Sequence, residues 1–197
     1  MYNPNLRIAR DDTRASTALA TQGMKLISQQ KALELVEKLK GDFKSQILGG
    51  YEHRAKSCLT CEVQGSCCLD AHFVNVHISR LEAVGVRRVL ERLPEELRNR
   101  IYRRIENTVE KYELKSGGDT YSQTYACPLF AKGTGCLVHN EGKPVPCITH
   151  ACYTNASDLP PDELQIEQER RIDDLNRKTY GRSEPWLPIP LAILNSR

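Results

Sequence analysis

Eight cysteines carry the thiol chemistry of this chain, and they are unevenly spread. Cys58, Cys61, Cys67 and Cys68 crowd into the run C-L-T-C-E-V-Q-G-S-C-C, and Cys127, Cys136, Cys147 and Cys152 form a looser second quartet. No cysteine precedes Cys58 or follows Cys152. Cys58 and Cys61 have the C-x-x-C spacing that turns two thiolates toward one metal ion. Thioredoxin-like redox sites share that spacing, but they sit in a βαβ unit, and none surrounds Cys58. The adjacent Cys67 and Cys68 suit a polynuclear cluster, two neighbouring metals, or one ligand beside one free thiol. Eight thiolates satisfy two tetrahedral zinc ions. Alternatively, four hold an iron–sulfur cluster and four remain for zinc or a second cluster. Spacing does not separate the two, because both accept four sulfur ligands. The Cys67-Cys68 pair is awkward for one mononuclear site, and the Cys127-Pro128 step recurs in ferredoxin-type ligation, so the reading tilts toward a [4Fe–4S] cluster over zinc. His53, His72, His77, His139 and His150 are read as ordinary polar residues. His150, between Cys147 and Cys152, is the best placed to replace a thiolate.

Composition bounds the setting. A chain of 197 residues suits one domain with a real core. Its 40% hydrophobic and 27% charged residues are those of a globular protein. The N-terminus is polar and lacks the apolar stretch of a secretory signal. No run approaches the roughly 18 apolar residues of a membrane span. The chain therefore reads as cytoplasmic, where thiols stay reduced, and metal ligation is favoured over a framework of disulfides. Arg87, Arg88, Arg92, Arg98, Arg100, Arg103 and Arg104 make the middle basic, but Glu91, Glu95, Glu96, Glu106 and Glu110 are interleaved with them. With a net charge of only +3, this reads as a solvated face, with Glu96 paired to Arg100, and not as a nucleic-acid surface.

The elements that must position the thiols are helical. Residues 1–13 read as a flexible arm, 14–180 as one helical metal-binding domain with its cysteine core at 51–157, and 181–197 as an apolar strap containing prolines. Ala32, Val36, Leu39, Phe43 and Ile47 recur at helical spacing, with Lys31, Glu34, Lys38, Lys40 and Lys44 largely off that stripe. Gly23 is a candidate break in this stretch, and Gly49-Gly50 its end. Residues 73–78 alternate as a single strand or extended lead-in. Ser79 and Glu82 spell a capping box for a helix carrying Leu81, Val84, Val89 and Leu90. Pro94 opens the next helix, with Leu97, Ile101, Ile105, Val109 and Tyr112 on one side, running to Gly117-Gly118. The glycines and prolines of 127–152 argue against regular structure there, so a long loop awaits organisation by metal. A polar helix follows Pro160-Pro161 to about Tyr180. The fold expected is mainly α, with two long cysteine-rich loops organised by metal and little or no sheet.

The run C-x2-C…C-C, followed by C-P-L-F…G-C-L-V-H…K-P-V-P-C, resembles the YkgJ-like cysteine-cluster family, described as a zinc- or iron-chelating domain; the flagellin lysine N-methylases carry a related module. The resemblance covers about Cys58 to Cys152 and implies that all eight cysteines are ligands. It departs at Lys143-Pro144-Val145-Pro146-Cys147-Ile148, where the family's two arginines are lost, and in a longer gap between Cys61 and Cys67. The leading function is a metal-binding cysteine-cluster protein with redox or sensing chemistry. The alternatives are an enzyme, redox or methyltransferase-like, and a zinc-stapled nucleic-acid module. No G-x-G-x-x-G loop supports a nucleotide cofactor. The partner is an unidentified protein or a second copy of this chain. Because metal binding and folding are coupled, Cys61→Ser or Cys147→Ser is expected to give metal-depleted, poorly soluble protein; well-folded mutants with full metal content, measured by elemental analysis, would contradict a shared site.

Overall fold

The computed structural model describes residues 25–56, 62–69, 74–117 and 119–196. Among them the chain forms seven α-helices and three antiparallel pairs of two-residue strands. The mainly helical expectation holds; the arm, Gly23, Phe73, Cys58, Cys61 and His72 lie outside the described residues.

Helix α1 (Gln29–Gly50) starts where the Ser28 hydroxyl accepts the Lys31 N–H at 3.2 Å. Its apolar stripe buries Ala32, Leu33, Val36, Leu39, Phe43 and Ile47 against α5 (Val145–Thr149) and α6 (Asp162–Tyr180). Lys40, placed on the polar side by the sequence reading, is buried as well. Gly49 and Gly50 remain helical, and Tyr51 at φ −134° ends the helix instead.

Helix α3 (Arg80–Glu91) carries the capping box that its sequence spells. The Ser79 hydroxyl accepts the Glu82 N–H at 3.2 Å, and the Glu82 carboxylate accepts the Ser79 N–H at 3.3 Å. A second early N–H of this helix, that of Leu81, donates to the side-chain carbonyl of Asn176 on α6 at 3.1 Å. Helix α4 (Glu95–Lys111) buries Ile101, Ile105 and Thr108. It ends at Lys111, short of the expected glycines, because Glu113 turns left-handed at φ 49°. The Leu114 N–H then reaches back to the Val109 carbonyl and the Glu113 N–H to that of Glu110, a Schellman closure with glutamate in the place glycine usually takes. Glu96 and Arg100 form no ion pair among the described residues; Glu91 gathers Arg87 and Arg98 instead, at 4.0 and 3.7 Å.

The C-terminal stretch is not an extended strap. Strand β6 (Leu187–Pro188) pairs with β2 (His77–Ile78), and α7 (Ile189–Asn195) buries Ile189, Leu191, Ala192 and Ile193 against α3 and α4. Pro190 sits in its first turn, where proline forfeits no hydrogen bond. Tyr125, fully buried, ties this end down: its hydroxyl donates to the Val76 carbonyl at 2.7 Å and accepts the Ile189 N–H at 3.0 Å.

Glu82 joins three helices. Only 1% exposed, it caps α3, accepts the Val145 N–H of α5 at 3.2 Å and lies 4.0 Å from the Lys40 ammonium of α1. Burial pushes the Glu82 carboxyl up and the Lys40 ammonium down, each shift opposed by the charge of the other. Removing one member of such a pair strands the other, so Lys40→Met is expected to lower stability by about 3 kcal/mol at neutral pH. The folded-state carboxyl of Glu82 is raised above its unfolded value, so the folded variant gains relative stability as the pH falls and Glu82 takes up a proton. Urea unfolding at two pH values checks this; a deficit that does not shrink in acid would mean that Glu82 is not a stranded charge.

Candidate metal centre

The first thiol segment is short. Gly65, at φ 79°, turns the chain into α2 (Ser66–Leu69), which carries Cys67 and Cys68. The ring of Phe130 fills the space over Gly65, where an added Cβ would fall 2.1 Å from Cζ. Backbone bonds then tie this segment to the second: the Cys127 N–H donates to the Cys68 carbonyl at 2.6 Å, and the Tyr125 N–H to that of Val74 at 2.9 Å.

The second segment is more regular than its glycines and prolines suggested. Strands β3 (Phe130–Ala131) and β4 (Gly135–Cys136) make a hairpin whose turn uses Gly133 and Gly135 at φ 80° and 89°. It presents Cys136 opposite Phe130. Cys147 rides on α5, whose flanking Pro144 and internal Pro146 have no N–H to satisfy and whose Val145 N–H is taken by Glu82. Cys152 lies on β5 (Cys152–Tyr153), paired with β1 (Ala55–Lys56) in the register Lys56↔Cys152.

The thiols feel one another. The Cys68 thiol donates to the Cys67 sulfur, and with a second bond from His150 this pushes Cys67 down to about 4. The same bond, together with burial and the charges of Cys127 and Cys147, pushes Cys68 far up. Burial raises Cys127 to about 12 and Cys136 and Cys147 as well; the charge of Cys136 adds to the first, and those of Cys127 and Cys136 to Cys147. Lys143 opposes the rise at Cys136 and Cys147, and Arg104 opposes it at Cys127. Thus Cys67, Cys68, Cys127, Cys136 and Cys147, with His150, occupy one neighbourhood. No disulfide joins any two of the six described cysteines. Among the described residues no three Cys, His, Asp or Glu side chains are arranged to hold a metal ion.

No protein family, curated protein or solved structure matches this chain. The candidate site is therefore built from its own residues. The other described histidines have separate occupations. His77 is buried, hydrogen-bonded to Thr120 at 2.9 Å and stacked on Tyr121. His53 meets Arg54 at 3.3 Å, and His139 is lowered in basicity by partial burial and then by the charges of Lys143 and Lys44. Sequence reasoning missed the cations: Arg104 and Lys40 fall three or four residues from members of the buried stripes, which is the signal that would have found them. No helix among the described residues is long and apolar enough to cross a membrane.

Gly65→Ala tests whether the two segments meet as described. Strain at positive φ and collision with the Phe130 ring should together cost about 2 kcal/mol or more in urea unfolding. Adding Phe130→Ala should not restore the backbone part. An unchanged midpoint for Gly65→Ala would mean that Phe130 does not cover Gly65.

Proposed function

We propose that this chain is a metal-binding cysteine-cluster protein, with the thiols of both quartets as ligands of a [4Fe–4S] cluster or of zinc. The observation that carries the reading is the gathering of Cys67, Cys68, Cys127, Cys136, Cys147 and the imidazole of His150 from three separate chain segments. Bringing half-buried thiols together has no value for packing alone, since each is a small hydrophobe that a Val or Ala would replace. It has value for a cation: burial pushes the Cys127, Cys136 and Cys147 thiols up, the bond with Cys67 and then burial do the same to Cys68, and a bound metal would oppose those shifts. The donor set is sulfur with one nitrogen, the set that zinc and iron–sulfur clusters take. The resemblance to the YkgJ-like cysteine-cluster family points the same way.

Cys58, Cys61 and Cys152 complete the set in this reading, as members of the same two quartets. When bound, zinc would supply a structural crosslink, and an iron–sulfur cluster would add one-electron chemistry. The chain's own residues supply the geometry. The Cys127–Cys68 backbone bond fixes one segment against the other, and α5 holds Cys147 through the Glu82 carboxylate.

The decisive measurement is the absorption spectrum of protein purified without oxygen, with iron, zinc, acid-labile sulfide and free thiols counted on the same sample. Broad visible absorbance with iron matched by sulfide is the expected result. A colourless protein with about two zinc ions per chain would keep the metal reading and replace the cluster by structural sites. Metal-free protein with eight titratable thiols would overturn the function proposed.

A further inference from the structure

A cavity of about 250 Å3 lies between α1, the face of α3 that carries Glu82 and Gly85, and the turn 139–143 that leads into α5. Three ammonium groups line it, those of Lys40, Lys44 and Lys143. Lys40 and Lys44 stand one turn apart on α1, so helical spacing aims them to one side. Lys143 arrives from the facing turn, because Gly142, at φ 81°, brings the chain close against Val86 and Val89 of α3.

The packing leaves these cations unmatched. Lys40 is only 9% exposed, and its one ion pair among the described residues, with Glu82, spans 4.0 Å, beyond hydrogen-bond reach. Glu82 is itself occupied by the N–H groups of Ser79 and Val145. The buried ammonium has three N–H donors and no hydrogen-bond acceptor among the described residues. Lys44 and Lys143 are half-buried, and neither forms an ion pair among the described residues. After partial burial, it is their charges that lower the basicity of His139, an exposed member of the same lining. Of the remaining acids in the lining, Glu141 is taken by Arg92, and Glu37 is exposed two helical turns before Lys44. Gathered cations repel one another, and a buried donor without an acceptor is costly. An anion in the cavity relieves both.

We propose that this cavity binds a small phosphate monoester, its phosphate held by Lys40, Lys44 and Lys143. Lysine binds phosphate as a point charge, whereas a flat carboxylate is matched best by the paired N–H groups of arginine, and no arginine lines the cavity. A dianion answers the two lysines that lack an ion pair. Val36 and Ile148 offer an apolar wall to the organic part of the ester, and Glu37 repels a second anionic group at its own end. The inference stands apart from the metal reading, since no described cysteine lines the cavity.

The test uses the full chain at about pH 7.5, where a phosphate monoester is a dianion, in roughly 0.15 M sodium chloride. Phenyl phosphate, inorganic phosphate and benzoate are titrated by calorimetry, and the ring resonances of His139 are followed by NMR. Phenyl phosphate is expected to bind once per chain, more tightly than the other two, and to move the His139 resonances. Lys44→Gln and Lys143→Gln should each weaken it roughly tenfold, the loss of one charge-assisted hydrogen bond. Lys111→Gln removes the same charge at an exposed site on the end of α4 and should change the affinity by less than about twofold. Thermal melts establish that each variant is folded, and either cavity lysine decides the matter should the other variant fail. Benzoate binding as tightly as phenyl phosphate would overturn the assignment to phosphate. An equal loss in Lys111→Gln would reveal diffuse attraction to a basic protein, and an unmoved His139 ring would put the ester elsewhere; either result sinks the site, as would no binding of either phosphate compound at millimolar concentration. The metal content of the protein is a separate measurement, untouched by any of these outcomes.

Discussion

The carboxylate of Glu82 is the constraint on which the rest of the structure depends. It is buried and shared by three helices: it caps its own helix, holds the first free N–H of α5 and faces the Lys40 ammonium of α1. Each of these partners would otherwise be a polar group without a match in a dry interior. Local and tertiary order meet in one side chain. The capping box that starts α3 also sets the distance between α1 and the helix that carries Cys147. A carboxylate so placed gives specificity of arrangement more than net stability, because burial of both charges offsets much of their attraction.

Around that constraint the packing divides into two apolar clusters with different tasks. One gathers α1, Val145, Ile148 and Ile172 and supports α5 from behind. The other gathers α3, α4, α7, Tyr125 and Leu129 and supports the start of the second cysteine segment. Between them the thiols are located mainly by backbone hydrogen bonds and tight turns. Such contacts depend on chain path and not on side-chain identity. The positions of the sulfurs are accordingly fixed by the scaffold.

What could be read in the sequence was local. Ser79 and Glu82 announce a helix start because both halves of a capping box lie within one turn. The stripe from Ala32 to Ile47 is legible because burial repeats with the helical period. Lys40 is on that stripe by spacing, four residues after Val36 and three before Phe43, yet its charge argued for the surface; only the distant Glu82 makes its burial tolerable. Glycine and proline in the second cysteine segment suggested irregularity, whereas Gly133 and Gly135 supply the positive φ that a tight hairpin needs. Glu113 gave no sign of turning left-handed, since the conformation follows from Leu114 being drawn into the core. The meeting of Cys67 and Cys68 with Cys127 and Cys147 is long-range and has no local signature; the count of cysteines suggested a common site, but not which sulfurs face one another.

The pairing of Ala55 and Lys56 with Tyr153 and Cys152 has a consequence for how the protein is made. Everything between the two strands, including α2, α3, α4, the hairpin and α5, is enclosed by that closure. During synthesis the first quartet leaves the ribosome long before its counterpart exists. Until Cys127 emerges, Cys67 and Cys68 have no partner from the second segment and stand as nascent thiols. The order of translation therefore opens an interval in which the early cysteines depend on the reducing capacity of their surroundings, and the chain's own architecture closes it only once the second segment has been made.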